Sequence, residues 1–329
     1  MQRTLAATTA SKKFNRLAGG FSTGEPPAFK SGGKPMMHRS RSLRRTQLQY
    51  LSLVLPGMLI FTVGLIVPMF LALGYSLTSW NGMTTDKPFV GLANFARMFT
   101  DGYAGNAWWF TLRFTFWNTL IENVAAILLA VALDSGIKCQ KLMRTVFFVP
   151  CLISAVVVGF VWLKIFGNIL PALFDTLGIA GNPMLLGKES TVLSGMLIAN
   201  NWQWIGYWML IYLAALQSIP TDLYEAARVD GANAVRQFVN ITLPMLAPAL
   251  TICIVGITTG SLKVYDLLVC STNGGPGRAS TSIIYYTYST AISGRQYGYG
   301  SALTISVVLA LLAVAFLQVK ALKKREVQM

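Results

Sequence analysis

The residues able to do chemistry in this chain are few, and their types exclude most of it. There is one histidine, His38, and there are four cysteines, Cys139, Cys151, Cys253 and Cys270, none in a C-x-x-C pair. That leaves no metal site or disulfide framework to expect, and little room for acid–base catalysis by histidine. No G-x-x-x-x-G-K-[ST] stretch occurs; Gly274-Gly275-Pro276-Gly277 is a turn without a following Lys-Ser/Thr, so the chain is not expected to hydrolyse ATP. Glu122 and Asp266 lie in or beside apolar runs with no catalytic motif around them, and no residue is assigned a catalytic role. The charges that do cluster are Asp222, Glu225, Arg228, Asp230 and Arg236, five in fifteen residues. They fall in and beside the stretch Tyr224–Pro244, YEAARVDGANAVRQFVNITLP, which has long apolar runs on both sides.

A charged stretch between such runs cannot sit in hydrocarbon, so it is expected as a loop at a membrane surface. It also reads as helical. Glu225-Ala226-Ala227 are good helix formers, Asp222 suits a first turn, and Gly231 suits a helix end. Ala232–Ile241 would form a second short helix, with Pro244 opening the next span. The composition agrees: 54% of the 329 residues are hydrophobic and only 12% charged, as in a polytopic membrane protein.

Six apolar spans are expected, at about 51–77, 114–133, 145–163, 192–216, 243–269 and 302–319. Pro68 should kink the first and Pro150 interrupt the third. The net charge of +15 is concentrated early: residues 1–45 hold ten Lys/Arg against the single acid Glu25. The segment reads as a basic, largely disordered tail, with 46–329 as the membrane domain, rather than as a cleaved signal peptide or a nucleic-acid-binding arm. With six spans the tail, the Lys138–Arg144 loop, the charged stretch and Lys320, Lys323, Lys324 and Arg325 share one side. Positive-inside asymmetry makes that side the cytoplasm, with both termini there.

Glu225-Ala226-Ala227, Asp230-Gly231-Ala232, Phe238, Ile241, Leu243 and Pro244 together resemble the EAA loop of membrane subunits of binding-protein-dependent ABC importers. Gly91-Leu92-Asn94-Phe95 and Asn118-Thr119-Leu120 resemble shorter stretches of the same family. Lys263-Val-Tyr-Asp266, Thr272-Asn-Gly-Gly-Pro276, Thr281 and Gly298-Tyr-Gly-Ser-Ala302 resemble the first permease of its carbohydrate-uptake group. The resemblance covers about 90–319. It implies an all-α, type I importer permease fold and partnership with a second permease, two ATPase subunits and an extracytoplasmic solute-binding protein. It implies a carbohydrate solute, with ATP and Mg bound on the ATPase and no cofactor on this chain. Glu225, Ala226, Ala227, Asp230, Gly231 and Ala232 would then couple to the ATPase. An importer of a non-sugar solute, or a solitary secondary transporter, are the alternatives.

Helical spacing marks candidate faces on the spans flanking the charged stretch. Asn200, Trp204 and Tyr207 lie at i, i+4, i+7; Ile257, Gly260, Ser261 and Val264 repeat the pattern. In the resembling permeases such faces line the sugar site. The competing reading is helix packing through small residues such as Gly260 and Ser261. Glu122 faces either a solute cavity or a second subunit, and Lys263 and Asp266, one turn apart, are placed to pair.

Overall fold

The computed structural model describes residues 39–136, 138–179, 181 and 184–323. The tail expected over 1–45 lies, up to residue 38, outside the described residues, as do Lys324 and Arg325. The chain divides into two units, 1–61 and 62–329. In the first, helix α1 runs Arg39–Phe61. Among the described residues there is no strand beyond one isolated antiparallel bridge, Thr78 with Phe89.

The second unit is built of helices: α2 Val67–Ser76, α3 Ala93–Thr100, α4 Gly102–Asp134, α5 Gln140–Phe148, α6 Ala155–Thr176, α7 Val192–Leu216 and α8 Thr221–Val229. Then come α9 Ala234–Met245, α10 Ala247–Leu262, α11 Asp266–Ser271, α12 Ile283–Tyr288 and α13 Tyr297–Lys323. Among the described residues, four stretches are long and apolar enough to cross a membrane: Tyr50–Ser76, α4, α6 and α13. The pair α9 and α10 makes a fifth if its 69° bend lies within one span. Helix α7 has the length, 25 residues, but Asn200, Asn201 and Gln203 dilute its middle. The expected count of six therefore rests on a helix whose centre is polar, and that centre turns out to be the site described below.

The span boundaries shift where proline acts. The expected third span, 145–163, is replaced by α5, a 3₁₀ turn Val149–Leu152 around the buried Pro150, and extended residues at Ile153 and Ser154. Proline removes a backbone donor; the chain tightens into the 3₁₀ turn around Pro150, leaves helical geometry at Ile153 and Ser154, and α6 begins anew at Ala155. The expected fifth span, 243–269, is likewise cut. It bends at Leu246 and ends at Leu262, with α11 a separate helix packed on α6. The expected kink before Pro68 appears as a π turn, Thr62–Ile66, the usual way a helix absorbs an interrupted hydrogen-bond ladder.

The core is the crossing of α4, α7 and α10. Ala126, Ala130, Met209, Tyr212, Leu213, Cys253 and Ile257 interlock there, each at most 2% exposed. Helix α13 packs on α2, α10 and α12. Two polar devices fasten the ends. The buried Asn94 donates to the carbonyls of Ser76 and Thr78, 2.8 Å each, closing the end of α2. Asp101 caps α4 through the amides of Tyr103 and Ala104 and accepts from the hydroxyls of Tyr286 (2.6 Å) and Tyr299 (2.7 Å). Burial pushes the Asp101 carboxyl up, but these four donors outweigh it and leave its pKa below the ordinary value of 3.8.

Candidate functional site

The polar middle of α7 meets a polar stripe on α4 and the small-residue end of α10, and one amide joins them. Asn118 donates through Nδ2 to Glu122 Oε2 (2.7 Å) and to Ser261 Oγ (2.9 Å). Its Oδ1 accepts from Asn200 Nδ2 (2.9 Å) and Asn201 Nδ2 (3.0 Å). Two donors and two lone pairs exhaust an asparagine side chain, so Asn118 is locked and holds Glu122 with it. The network continues through Thr119, whose hydroxyl meets that of Thr258 (3.3 Å), and Gln318, which donates to Thr258 (2.9 Å). Asn123, on the next turn of α4, accepts from the Tyr212 hydroxyl at 2.5 Å.

Beside this network lies a cavity of about 280 Å³. Six of the seven residues expected on the two helical faces stand in its wall: Asn200, Trp204, Ile257, Gly260, Ser261 and Val264. Tyr207 does not; it is 39% exposed and meets Trp204 and Trp208 edge-on at 6.1 and 4.9 Å. Its neighbour Trp208, about 100° further round the helix, stands in the wall instead. Val264 reaches the wall by another route than expected. Helix α10 has already ended, and a turn with Lys263 N–H on Gly260 O and Val264 N–H on Ser261 O delivers it.

At Gly260 no helix of this chain packs closely. A Cβ built there meets nothing within 4 Å, so this glycine keeps space open rather than letting a helix approach. Close approach occurs at Gly206 instead, where a Cβ would stand 1.8 Å from the carbonyl oxygen of Phe147. The cavity also takes Asn118, Glu122, Gln203, Trp208, Lys263 and Asp266, which the two faces alone did not collect. Asn118, Glu122 and the Lys263–Asp266 pair stood out in the sequence separately, but nothing there joined the three. Lys263 and Asp266 both line the cavity and make no ion pair with each other.

The charged stretch is a second, separate site. Glu225, Ala226 and Ala227 lie in α8, Asp230 is its C-cap, and Gly231 follows at φ +75°. The amide of Ala232 bonds Ala227 O at 2.8 Å and that of Gly231 bonds Arg228 O at 3.0 Å, the double closure that a left-handed residue after a helix permits. Asn233 then caps α9 by accepting from the Arg236 amide, 2.9 Å. The second helix is shorter than expected in regular α form. It is α-helical over Ala234–Gln237, passes into a π turn Phe238–Thr242, and is tied back to α8 by Tyr224 OH and Thr242 Oγ1 at 2.9 Å. Glu225, Arg228, Asp230 and Arg236 are exposed, and so are Val229 (88%) and Val235 (70%). Apolar side chains displayed among charges fit a surface that is covered in an assembly.

A third feature is the stretch Thr272–Thr281. Ser280 Oγ meets Thr272 Oγ1 (2.8 Å) and donates to Gly275 O (2.6 Å), while Thr281 Oγ1 donates to Gly274 O (3.2 Å). The motif is a self-bonded loop. It borders another cavity of about 660 Å³, which Arg113, Glu189 and Arg278 also line.

Comparison with known proteins agrees with this architecture. Residues 122–326 match the family described as binding-protein-dependent transport system inner membrane component. The probable starch degradation products transport system permease protein AmyD of Thermoanaerobacterium thermosulfurigenes is 33% identical over 89% of this chain and 100% of its own length. The multiple sugar-binding transport system permease protein MsmF of Streptococcus mutans is 33% identical over 79% of this chain and 90% of its own. A subunit of a bacterial ABC transporter involved in import of the acidic polysaccharide alginate shares the fold, with a TM-score of 0.75 at 22% identity over 87% of this chain and 98% of that one. By its match over residues 122–326 and its likeness to full-length permeases, this chain belongs to the family of inner membrane components of binding-protein-dependent transport systems.

Proposed function

We propose that the chain is one permease subunit of an ATP-driven carbohydrate importer. The carrying observation is the cavity at the α4–α7–α10 crossing, where indole rings of Trp204 and Trp208 stand beside fixed amide and carboxyl groups. Flat aromatic faces suit the apolar C–H faces of sugar rings, and a few placed polar groups orient hydroxyls. The names of the relatives, which concern starch products and multiple sugars, point the same way.

In this reading a second permease supplies the other half of the pathway and an extracytoplasmic binding protein delivers the solute. Two cytosolic ATPase subunits bind ATP and Mg; this chain binds neither. Helix α8 with Glu225, Ala226, Ala227, Asp230, Gly231 and Ala232 sits in a cleft of one ATPase. The small Ala226 and Ala227 let the helix sit deep, Glu225 meets a basic group, and the exposed Val229 and Val235 are covered. A rigid helix in a socket transmits movement in both directions. ATPase closure therefore draws α8 inward and, through the bend at Leu246, reorients α10 along the cavity wall. Both termini are cytoplasmic.

The test is solute-dependent ATP hydrolysis by the complex assembled from this chain, its partner permease, ATPase and binding protein. Hydrolysis should rise when sugar-loaded binding protein is added. Glu225→Lys should leave the membrane subunit folded and abolish the rise, with the ATPase lost on purification or uncoupled. An unchanged rise in Glu225→Lys would remove α8 from the coupling role.

A further inference from the structure

Two buried acceptors face the α4–α7–α10 cavity without a protein donor. Glu122 is 1% exposed; Asn118 bonds its Oε2, but its Oε1 has no hydrogen-bond partner. Gln203 is 1% exposed; its Nε2 donates to Ile153 O at 2.8 Å, but its Oε1 has none. Both residues line the same cavity. Neither can turn to satisfy itself. Glu122 is held by the saturated Asn118, and flipping Gln203 would break its bond to Ile153. A buried acceptor left without a donor costs about 1–3 kcal/mol, and such groups in a native structure call for an explanation.

We propose that Glu122 and Gln203 are specificity-determining residues that accept hydroxyl hydrogens of an uncharged, polyhydroxylated solute, and that this cavity discriminates against anionic sugars. The first half of that argument is the donor count: two orphan acceptors in one wall call for a solute that brings O–H groups. The second half is charge. Beside the buried Glu122 carboxyl, the acidic and basic side chains lining the cavity are Asp266 and Lys263, one of each sign, with no arginine among them. A site for a uronate or a phosphate ester needs surplus positive charge or a guanidinium fork, and this one offers neither. The single lysine also weighs against a cationic solute. A volume of about 280 Å³ lies at the small end for small-molecule pockets, about 300–1,000 Å³, so one sugar unit, or one end of a longer solute, fits.

This inference rests on the importer reading above, and the experiment separates the two. The purified membrane complex, two permeases with their ATPases, is titrated calorimetrically without binding protein. The probes are a neutral maltooligosaccharide, a uronate oligosaccharide and an amino-sugar oligosaccharide. The neutral sugar should bind, and the charged two should bind at least ten-fold more weakly. Glu122→Leu should weaken the neutral sugar at least ten-fold, while Glu122→Asp, which keeps one carboxyl oxygen for Asn118 and one for the solute, should recover at least three-fold of that loss. A residue that only glued helices together would give no such rescue pattern in affinity. If Glu122→Leu does not assemble, Gln203→Met is measured in its place and should show the same ten-fold loss. Wild-type affinity in these variants, or tighter binding of a charged probe, overturns the proposal while leaving the importer reading intact. If the wild-type complex neither binds any carbohydrate nor hydrolyses ATP in response to loaded binding protein, the importer reading itself falls.

Discussion

The cavity and the α8–α9 stretch are opposite kinds of site. The cavity is assembled from residues far apart in sequence: Asn118 and Ser261 are separated by 143 positions yet joined by a 2.9 Å bond. The α8–α9 stretch is continuous chain, closed by bonds spanning three to five residues, with the Tyr224–Thr242 contact its one longer tie. The network beside the cavity buries most of its polar groups and the stretch displays them. The difference teaches which perturbations each tolerates. A buried network fails as a unit, because every member's partner is another member. An exposed helix pair can change its chemistry without unfolding, because water replaces whatever a side chain gives up.

The largest effect should come from the hub of the buried network. Asn118→Leu removes all four bonds at once and strands Glu122 with no donor. Leaving a buried carboxyl and its neighbours unpaired should cost on the order of 3 kcal/mol, read as a lower midpoint in thermal unfolding of the purified complex. A midpoint within a degree of wild type would show that the network is not what holds α4, α7 and α10 together.

A matched pair of glycines sharpens the contrast. Gly231→Ala places a side chain at φ +75° and should destabilise by about 1 kcal/mol, although the space around it is open. Gly260→Ala, inside helix α10 with open space at its Cβ, should instead stabilise by about 0.5–1 kcal/mol, the helix-propensity difference. It should also lower solute uptake, because the methyl group enters the cavity. Unfolding midpoints that move in the same direction for both variants would break the comparison.

The smallest effect lies outside both sites, at Asp101. Its carboxyl sits below the ordinary value because Tyr286, Tyr299 and two backbone amides together outweigh the upward pull of burial. A depressed carboxyl contributes stability that is complete above its unfolded pKa and lost as pH falls through the folded one. Acid unfolding below about pH 3.8 should therefore be shallower in Asp101→Asn, which begins less stable at neutral pH. Parallel acid profiles for the two proteins would exclude Asp101 as a contributor.

The two sites also differ in how far the sequence foretold them. The α8–α9 stretch was legible for much of its length, since charge, alanine propensity and the glycine stop act over one or two turns. The cap at Asn233, the π turn in the second helix and the 69° bend at Leu246 escaped it. The cavity was half legible. Helical spacing put Asn200 with Trp204 and Ile257 with Gly260 and Ser261, because that periodicity belongs to a single helix. Nothing in the sequence said that Glu122, Gln203 and Lys263 face the same volume, since that is a relation between helices.

The sequence by itself determined the apolar stretches, the surface position of the charged stretch and the conformation of its helix end, since each depends on neighbours within a few residues. The third span could not be placed correctly, because hydropathy is blind to where Pro150 and Ser154 take the chain out of helical geometry. Only the tertiary structure decided which polar side chains share partners. Asn118 can satisfy Glu122, Ser261, Asn200 and Asn201 together only once three helices cross at one point, and that crossing also leaves Glu122 and Gln203 each with an acceptor to offer.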